Sequence, residues 1–161
     1  MTRDGTTGSE LYHSLLVADY VSVIALDMYG RVPLVRQYRP AIESVTLELP
    51  GGLLDAGERP ECAAKRELLE ETGLISRGHM HAFPPLLPDT GRLENRLWGF
   101  FVEAEESSSP SWRPEPGLEL LFVYPSDLQL MIFRGEFNHA LHIALLGLAM
   151  LNGYLKLKNN E

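Results

Sequence analysis

Three glutamates at helical spacing constrain this chain more than any other feature of its sequence. Residues 60–72 begin with a proline and are followed by Gly73, which predicts an α-helix bounded by these positions. Glu67, Glu70 and Glu71 stand at i, i+3 and i+4, so their carboxylates share one stripe of that helix. Like charges at this spacing cost about 0.2–0.5 kcal/mol per pair. The stripe therefore indicates either a solvated acidic face or the ligands of a bound cation.

The residues around the stripe separate these two interpretations. Arg66 can pair with Glu70 one turn away, but that alone is an ordinary surface ion pair. The whole segment matches G-x5-E-x7-R-E-U-x-E-E-x-G-U, with U aliphatic, at Gly52, Glu58, Arg66, Glu67, Leu68, Glu70, Glu71, Gly73 and Leu74. A chance match in such a chain is rarer than about one in ten million. The pattern resembles the signature of the Nudix hydrolases and favours a metal site.

The glycine that opens the pattern suggests how the acidic groups meet. Gly52 permits a tight turn from strand to loop, which would bring Glu58 back over the helix. Its carboxylate would then join those of Glu67, Glu70 and Glu71 around hard divalent cations, which prefer oxygen ligands. Such ions bind a diphosphate, neutralise developing charge and activate water for attack on phosphorus. The sequence therefore predicts four converging carboxylate ligands.

The resemblance to Nudix hydrolases implies a role for each neighbouring residue. Glu67 and Glu71 match the main side-chain metal ligands, and Glu70 matches a further ligand or a contact to a metal-coordinated water. The backbone carbonyl of Gly51 joins the metal ligands, and Arg66 matches the structural arginine that orients the glutamates. The implied cofactor is Mg²⁺, for which Mn²⁺ can substitute.

Hydrophobic periodicity predicts the elements around this segment. The strand candidates are residues 17–26, 32–38, 44–49, 79–83, 97–103 and 118–124. Turn residues at 27–31 suggest that the first two strands form a hairpin. A short helix begins at Ser126, and an apolar helix covers about residues 138–155.

The order β-β-β-α-β-β-β-α-α indicates a mixed sheet between helices, which is an α/β sandwich. The resemblance implies the Nudix-type α/β/α sandwich with a mixed sheet. We expect a flexible tail over residues 1–10 and a single Nudix hydrolase domain over residues 11–161, a length that suits one core.

Charge and cysteine content exclude several classes of protein. The net charge of −8 argues against sequence-independent nucleic-acid binding, which needs a basic face. The single cysteine, Cys62, cannot form an intramolecular disulfide. The start of the chain lacks the apolar core of a signal peptide, and the apolar run 140–151 is too short to span a bilayer. We therefore expect a cytoplasmic protein without a nucleic-acid or membrane partner.

Segments outside the signature resemble the ADP-ribose pyrophosphatase branch of the family. They are LVRQYRP (34–40), LELPGGLLDAGE (47–58) and PDTGRLEN (88–95). The resemblance implies four substrate-site candidates: Arg36, Arg39, Glu48 and Gly91. The competing interpretations are an arginine at a strand end, a glutamate on the solvent side of its strand, and a glycine in a plain turn.

The family's catalytic base is usually a glutamate in a late loop. Residues 104–117 have no periodicity and predict such a loop, and they offer Glu115, with Glu119 at the edge. The sequence does not separate these two candidates. Trp112 in the same loop could stack on a base. The five histidines show no metal-ligand spacing, and His139 and His142 suggest helix packing or surface positions.

These patterns together predict an enzyme. We expect Mg²⁺-dependent hydrolysis of the diphosphate of ADP-ribose or a related nucleoside diphosphate sugar, giving a nucleoside monophosphate and a sugar phosphate. The alternatives are a GDP-mannose or UDP-glucose pyrophosphatase, a non-catalytic nucleotide-binding Nudix domain, and a purely structural protein. The expected partner is a small nucleoside diphosphate derivative, and the branch implies a homodimer.

Overall fold

The structure describes residues 11–108 and 112–156. These residues form two β-sheets and three α-helices. The structure is a computed structural model. The elements are β1 Tyr20–Leu26, β2 Val32–Arg39, β3 Ser44–Glu48, α1 Pro60–Thr72, β4 Leu74–Ser76, β5 His81–Ala82, β6 Leu97–Glu106, β7 Glu119–Val123, α2 Pro125–Phe133 and α3 Ala140–Leu151. A 3₁₀ turn, Pro40–Ile42, separates β2 from β3. The predicted tail, residues 1–10, lies outside the described residues.

The first sheet is mixed. Strand β1 pairs parallel with β6, and β4 and β5 pair antiparallel with β6. Val21, Val23 and Ala25 pack with α1, whereas Ile24 packs with α3 on the opposite face. Helices therefore cover both faces of this sheet, which confirms the α/β sandwich with a mixed sheet.

The second sheet is antiparallel, in the order β3-β2-β7. The predicted hairpin between β1 and β2 is therefore wrong. The turn itself forms, since Asp27 N donates to Arg31 O at 3.0 Å and the Asp27 carboxylate accepts from Arg31 N at 2.8 Å. The strands then enter different sheets, because β1 is apolar on both faces and is covered by a helix on each side.

Helix α1 matches its predicted bounds. Arg59 precedes it in an extended conformation without a side-chain cap bond, since arginine lacks the short oxygen-bearing side chain of a good N-cap residue. Gly73 ends it at φ 71°, and its N–H donates to Leu69 O at 2.9 Å. The short segment between Glu48 and Pro60 leads from β3 into this helix and places both beside one cavity.

Several predicted details differ from the structure. Strand β6 continues to Glu106, so the predicted loop at 104–117 begins later, because β6 gains a partner in the short strand β4. In β3, Glu48 is buried and does not lie on the solvent side of its strand, whereas Val45 is 52% exposed. Helix α3 ends at Leu151. No helix within the described residues is long and apolar enough to cross a membrane.

Candidate functional site

A cavity of about 410 Å³ lies between the second half of α1, the end of β3 and the beginning of α3. One end is acidic and is lined by Glu67, Glu70, Glu71 and Glu115. The lining also includes Arg39, Glu48, His139 and His142. The helical stripe predicted from the sequence therefore lines an open cavity.

The glutamates of α1 differ in their burial within this cavity. The side chains of Glu67 and Glu70 are 12% and 46% exposed, and Glu71 is 8% exposed. Burial raises the pKa of Glu71 to about 7, and repulsion from Glu67 and Glu115 acts in the same direction. The Gly51 N–H, which donates to Glu71 Oε2 at 2.8 Å, lowers this pKa but does not offset burial. Burial also raises the pKa of Glu67. Facing carboxylates that are partly desolvated form a donor set that suits a divalent cation.

Gly52 lies against the carboxylate of Glu67. A Cβ atom at position 52 would stand 2.3 Å from Glu67 Oε1 and 2.6 Å from its Cδ. Any larger residue would displace this carboxylate from the cavity. The glycine that opens the signature therefore keeps space for a glutamate as well as turning the chain.

Arg66 links the glutamates of the signature. Its guanidinium donates to Glu67 Oε1 at 2.6 Å and to Glu70 Oε2 at 3.2 Å. It also donates to Leu53 O at 3.1 Å, which connects α1 to the preceding loop. Hydrogen bonds, first of all to Glu58, raise the pKa of Arg66, so the group is always cationic. Arg66 thus lies where it can orient the acidic side chains.

Glu58 does not join the other three glutamates. Both of its carboxylate oxygens accept from Arg66, at 3.1 and 2.9 Å, and Oε2 also accepts from Asp55 N at 3.1 Å. These bonds lower its pKa. Glu58 is absent from the described residues that line the cavity. The structure therefore brings together three of the four carboxylates expected to converge, and Arg66 stands between them and Glu58.

The substrate-site candidates divide into two pairs. Arg39 and Glu48 line the cavity and are joined by bonds of 2.8 and 2.6 Å. Arg36 instead pairs with Glu119 at 3.2 Å on the exposed side of β2. Gly91 lies in an exposed turn, where its N–H donates to Asp89 at 2.9 Å. Neither Arg36 nor Gly91 is among the described residues at the cavity wall.

Two histidines that the sequence assigned to packing or surface also line the cavity. The rings of His139 and His142 stack with centroids 3.8 Å apart. His142 Nδ1 accepts from Leu49 N at 3.1 Å, and burial lowers its pKa to about 3, so it is neutral. One ligand atom from each histidine and one from Glu48 lie within 4.8 Å of one another. The sequence showed the i, i+3 spacing of these histidines, but it did not show that α3 lies close to β3.

The two candidate bases occupy different places. Glu115 lines the acidic end of the cavity, and its charge acts on both Glu67 and Glu71. Glu119 begins β7, is exposed, and is held by Arg36. The structure therefore places Glu115 at the cavity and Glu119 outside its described lining, a difference that the sequence did not indicate.

Comparison with known proteins agrees with this arrangement. A family model described as NUDIX domain matches residues 17–143. The chain belongs to the NUDIX family. Its NUDIX signature lies within the matched range and supplies the acidic end of the cavity.

Three relatives of this NUDIX chain carry related names. The "ADP-ribose pyrophosphatase" of Saccharomyces cerevisiae is 39% identical over 90 residues, covering 53% of this chain and 37% of the relative. The "ADP-ribose pyrophosphatase" of Bacillus subtilis is 42% identical over 57 residues, covering 35% and 31%. The "ADP-sugar pyrophosphatase" of Mus musculus is 32% identical over 122 residues, covering 69% and 55%. The matches thus span less than two thirds of each relative.

Glu48 should stabilise the NUDIX domain in a pH-dependent way. Burial alone would raise its pKa, but bonds from Arg39 and Thr46 outweigh burial and lower it to about 2. A lowered pKa means that the contribution is complete above the ordinary value of 4.5 and is lost as pH falls towards 2. Because Arg39 is 46% exposed, we expect Glu48→Gln to cost only about 1–3 kcal/mol at pH 7.

Urea unfolding of wild type and Glu48→Gln between pH 7 and pH 3 measures this contribution. The difference in unfolding free energy should shrink as the pH falls. Glu103→Gln, which breaks an exposed pair with Arg77 at 3.7 Å, is the control and should show little difference throughout. A Glu48→Gln deficit that stays constant over this range would contradict the assignment.

Proposed function

We propose that this chain is a Mg²⁺-dependent Nudix hydrolase. It cleaves the diphosphate of ADP-ribose or a related nucleoside diphosphate sugar and yields a nucleoside monophosphate and a sugar phosphate. The observation that carries the proposal is the cavity lined by Glu67, Glu70 and Glu71 of the signature helix. The names of three relatives, two ADP-ribose pyrophosphatases and one ADP-sugar pyrophosphatase, support the substrate class.

The acidic end of the cavity fits a hard divalent cation. We assign the side chains of Glu67 and Glu71 and the carbonyl of Gly51 as ligands, with Glu70 as a further one. The raised pKa of Glu71, caused by burial and neighbouring carboxylates, reflects a charge that a cation would relieve. When bound, Mg²⁺ supplies charge neutralisation for the diphosphate, and Mn²⁺ can replace it.

The remaining residues orient the reactants. Glu115 is assigned as the base that takes a proton from the attacking water. The water oxygen bonds to one phosphorus, and the bond from that phosphorus to the bridging oxygen breaks, so the bridging oxygen leaves with the other phosphate. Arg66 fixes Glu67 and Glu70 while Glu58 holds Arg66. Arg39 is held by Glu48, and its guanidinium places a positive charge at the cavity wall.

Sequence resemblance makes Glu119, Arg36 and Gly91 site residues as well. Their exposed positions give them a peripheral place in this proposal. An arginine paired with a glutamate on the surface contributes little by itself. We therefore expect substitutions at these three positions to alter turnover much less than substitutions in the acidic end of the cavity.

A panel of nucleotide sugars tests the proposed activity. Purified protein with Mg²⁺ is incubated with ADP-ribose, GDP-mannose or UDP-glucose, and released phosphomonoesters are measured with a coupled phosphatase. We expect the highest kcat/KM for ADP-ribose, and no release after chelation of the metal. A higher kcat/KM for GDP-mannose or UDP-glucose would change the assigned substrate but leave the proposed reaction unchanged. Binding without turnover of any compound would contradict the proposal and indicate a non-catalytic nucleotide-binding domain.

We propose one domain over residues 11–161 that forms a homodimer in the cytoplasm and binds neither nucleic acid nor membrane. The exposed side chains of Leu11 and Leu16, at 82% and 84%, support a subunit interface near the amino-terminal segment. The charge of −8 supports the absence of nucleic acid. Light scattering of the purified protein measures the oligomeric state; a monomer at all concentrations would contradict the dimer.

A further inference from the structure

Trp112, which lies between β6 and β7 in the sequence, packs against the end of α1. The indole Nε1 donates to the backbone carbonyl of Glu70 at 3.1 Å. The ring covers Gly73, where a Cβ atom would lie 2.7 Å from Trp112 Cδ2 and 2.8 Å from its Cε3. Gly73 is thus required both by its φ of 71° and by the closeness of the indole.

The hydrogen bond to Glu70 fills a gap at the helix end. A continuing helix would satisfy the Glu70 carbonyl with the N–H of Leu74. That N–H donates instead to Thr72 Oγ1 at 3.1 Å. Trp112 therefore supplies a donor to a carbonyl at the carboxyl end of α1, and it does so on the helix that carries the metal-site glutamates.

Trp112 also precedes the residue assigned as the base. Residues 113–117 are exposed, whereas Trp112 is half-buried. Glu115 lies three positions further on and lines the cavity with Glu67 and Glu71. The Leu118 N–H donates to Glu115 O at 3.1 Å and closes the turn that carries it. The packed indole is a contact that ties this stretch, and with it Glu115, to α1.

We propose that Trp112 is a positioning residue that sets the place of the Glu115 carboxylate relative to the α1 glutamates through its hydrogen bond to Glu70 O and its packing on Gly73. This inference rests on the proposed function, in which Glu115 is the base. A displacement of a catalytic group by about 1 Å can lower a rate by roughly 100-fold. The indole therefore acts on turnover through Glu115 and does not itself touch the substrate.

A double-mutant cycle tests the proposal. We expect Trp112→Ala to lower kcat for ADP-ribose about 10- to 100-fold with KM changed less than about threefold. Trp112→Phe keeps an aromatic ring on Gly73 but loses the N–H donor, so its kcat should fall between those of wild type and Trp112→Ala. Trp112→Ala combined with Glu115→Gln should be no slower than Glu115→Gln alone. Trp98→Phe removes an indole bond of 2.9 Å to Asp19 and should leave kcat unchanged, since neither residue is among the described residues that line the cavity.

Additive losses in the double variant would overturn the proposal, as would normal kcat in Trp112→Ala. Hydrogen exchange of residues 112–118, followed by mass spectrometry without substrate, gives a second readout that needs no activity. Trp112→Ala should speed exchange of the Leu118 amide, while Trp98→Phe should not. If exchange changes as expected but neither the wild type nor any variant hydrolyses ADP-ribose, GDP-mannose or UDP-glucose, the contact between Trp112 and α1 is supported and the proposed function fails. If hydrogen exchange is unchanged in Trp112→Ala, the positioning role of Trp112 is overturned, whatever activity the variant shows.

Discussion

Glu71→Gln should abolish most turnover while the protein remains folded. The substitution removes the negative charge of a proposed metal ligand, and metal ions supply several kcal/mol of transition-state stabilisation. Since 1.36 kcal/mol corresponds to a tenfold change in rate, we expect kcat to fall about 1000-fold. The amide keeps the shape of the side chain and an oxygen that can accept from Gly51 N, which now lies 2.8 Å from the carboxylate.

The stability of this variant should not fall. The pKa of Glu71 is raised by burial to about 7, so its ionised form costs the metal-free protein stability as pH rises through that value. A neutral glutamine removes this cost. Thermal unfolding of Glu71→Gln at pH 8 in chelator should therefore occur at or above the temperature measured for wild type.

Glu61→Gln provides a matched control on the same helix. Glu61 lies in the first turn of α1 and pairs with Lys65 at 2.6 Å, apart from the cavity. Steady-state kinetics with saturating Mg²⁺ should give this variant a kcat within about twofold of wild type. Wild-type turnover by Glu71→Gln, or an equal loss in both variants, would show that the metal assignment is wrong.

Glu115→Gln should lower kcat strongly, whereas Glu119→Gln should leave kcat nearly unchanged. A positioned general base contributes roughly 100- to 10,000-fold. Because Glu115 lines the cavity beside Glu67 and Glu71, we expect its substitution to lower kcat by at least about 100-fold with little change in KM. Glu119 is exposed and paired with Arg36, so its substitution should change kcat less than about twofold.

Rapid-quench measurement of a single turnover separates chemistry from product release in these variants. The two glutamates lie four positions apart, which makes Glu119→Gln a close control for changes in charge. A slow chemical step in Glu119→Gln with a normal step in Glu115→Gln would reverse the assignment. A normal chemical step in both variants would place the base elsewhere.

Local patterns predicted the helix of the site well. Proline at the start, Gly73 at the end and the spacing of Glu67, Glu70 and Glu71 are encoded within a few residues. The α/β class and the mixed sheet also followed from the order of elements. These features depend on neighbours along the chain, which a single sequence contains.

Contacts between distant segments were harder to predict. The hairpin failed because pairing of β1 with β6 joins residues far apart in sequence. Glu58 was expected at the metal, but the position of Arg66 across the turn captures its carboxylate. The stacked pair His139 and His142 reaches the cavity only because α3 packs beside the end of β3. Each case turns on tertiary packing, which periodicity does not report.

Direct measurement of metal binding tests the central claim most simply. Mn²⁺ is titrated into the wild type and into a Glu67→Gln/Glu71→Gln double variant, and free Mn²⁺ is followed by electron paramagnetic resonance. We expect the wild type to bind Mn²⁺ and the double variant to lose at least about 100-fold in affinity, since even outer-shell changes cost 10- to 100-fold. Equal affinity in the two proteins would contradict a metal site on the glutamate stripe of α1.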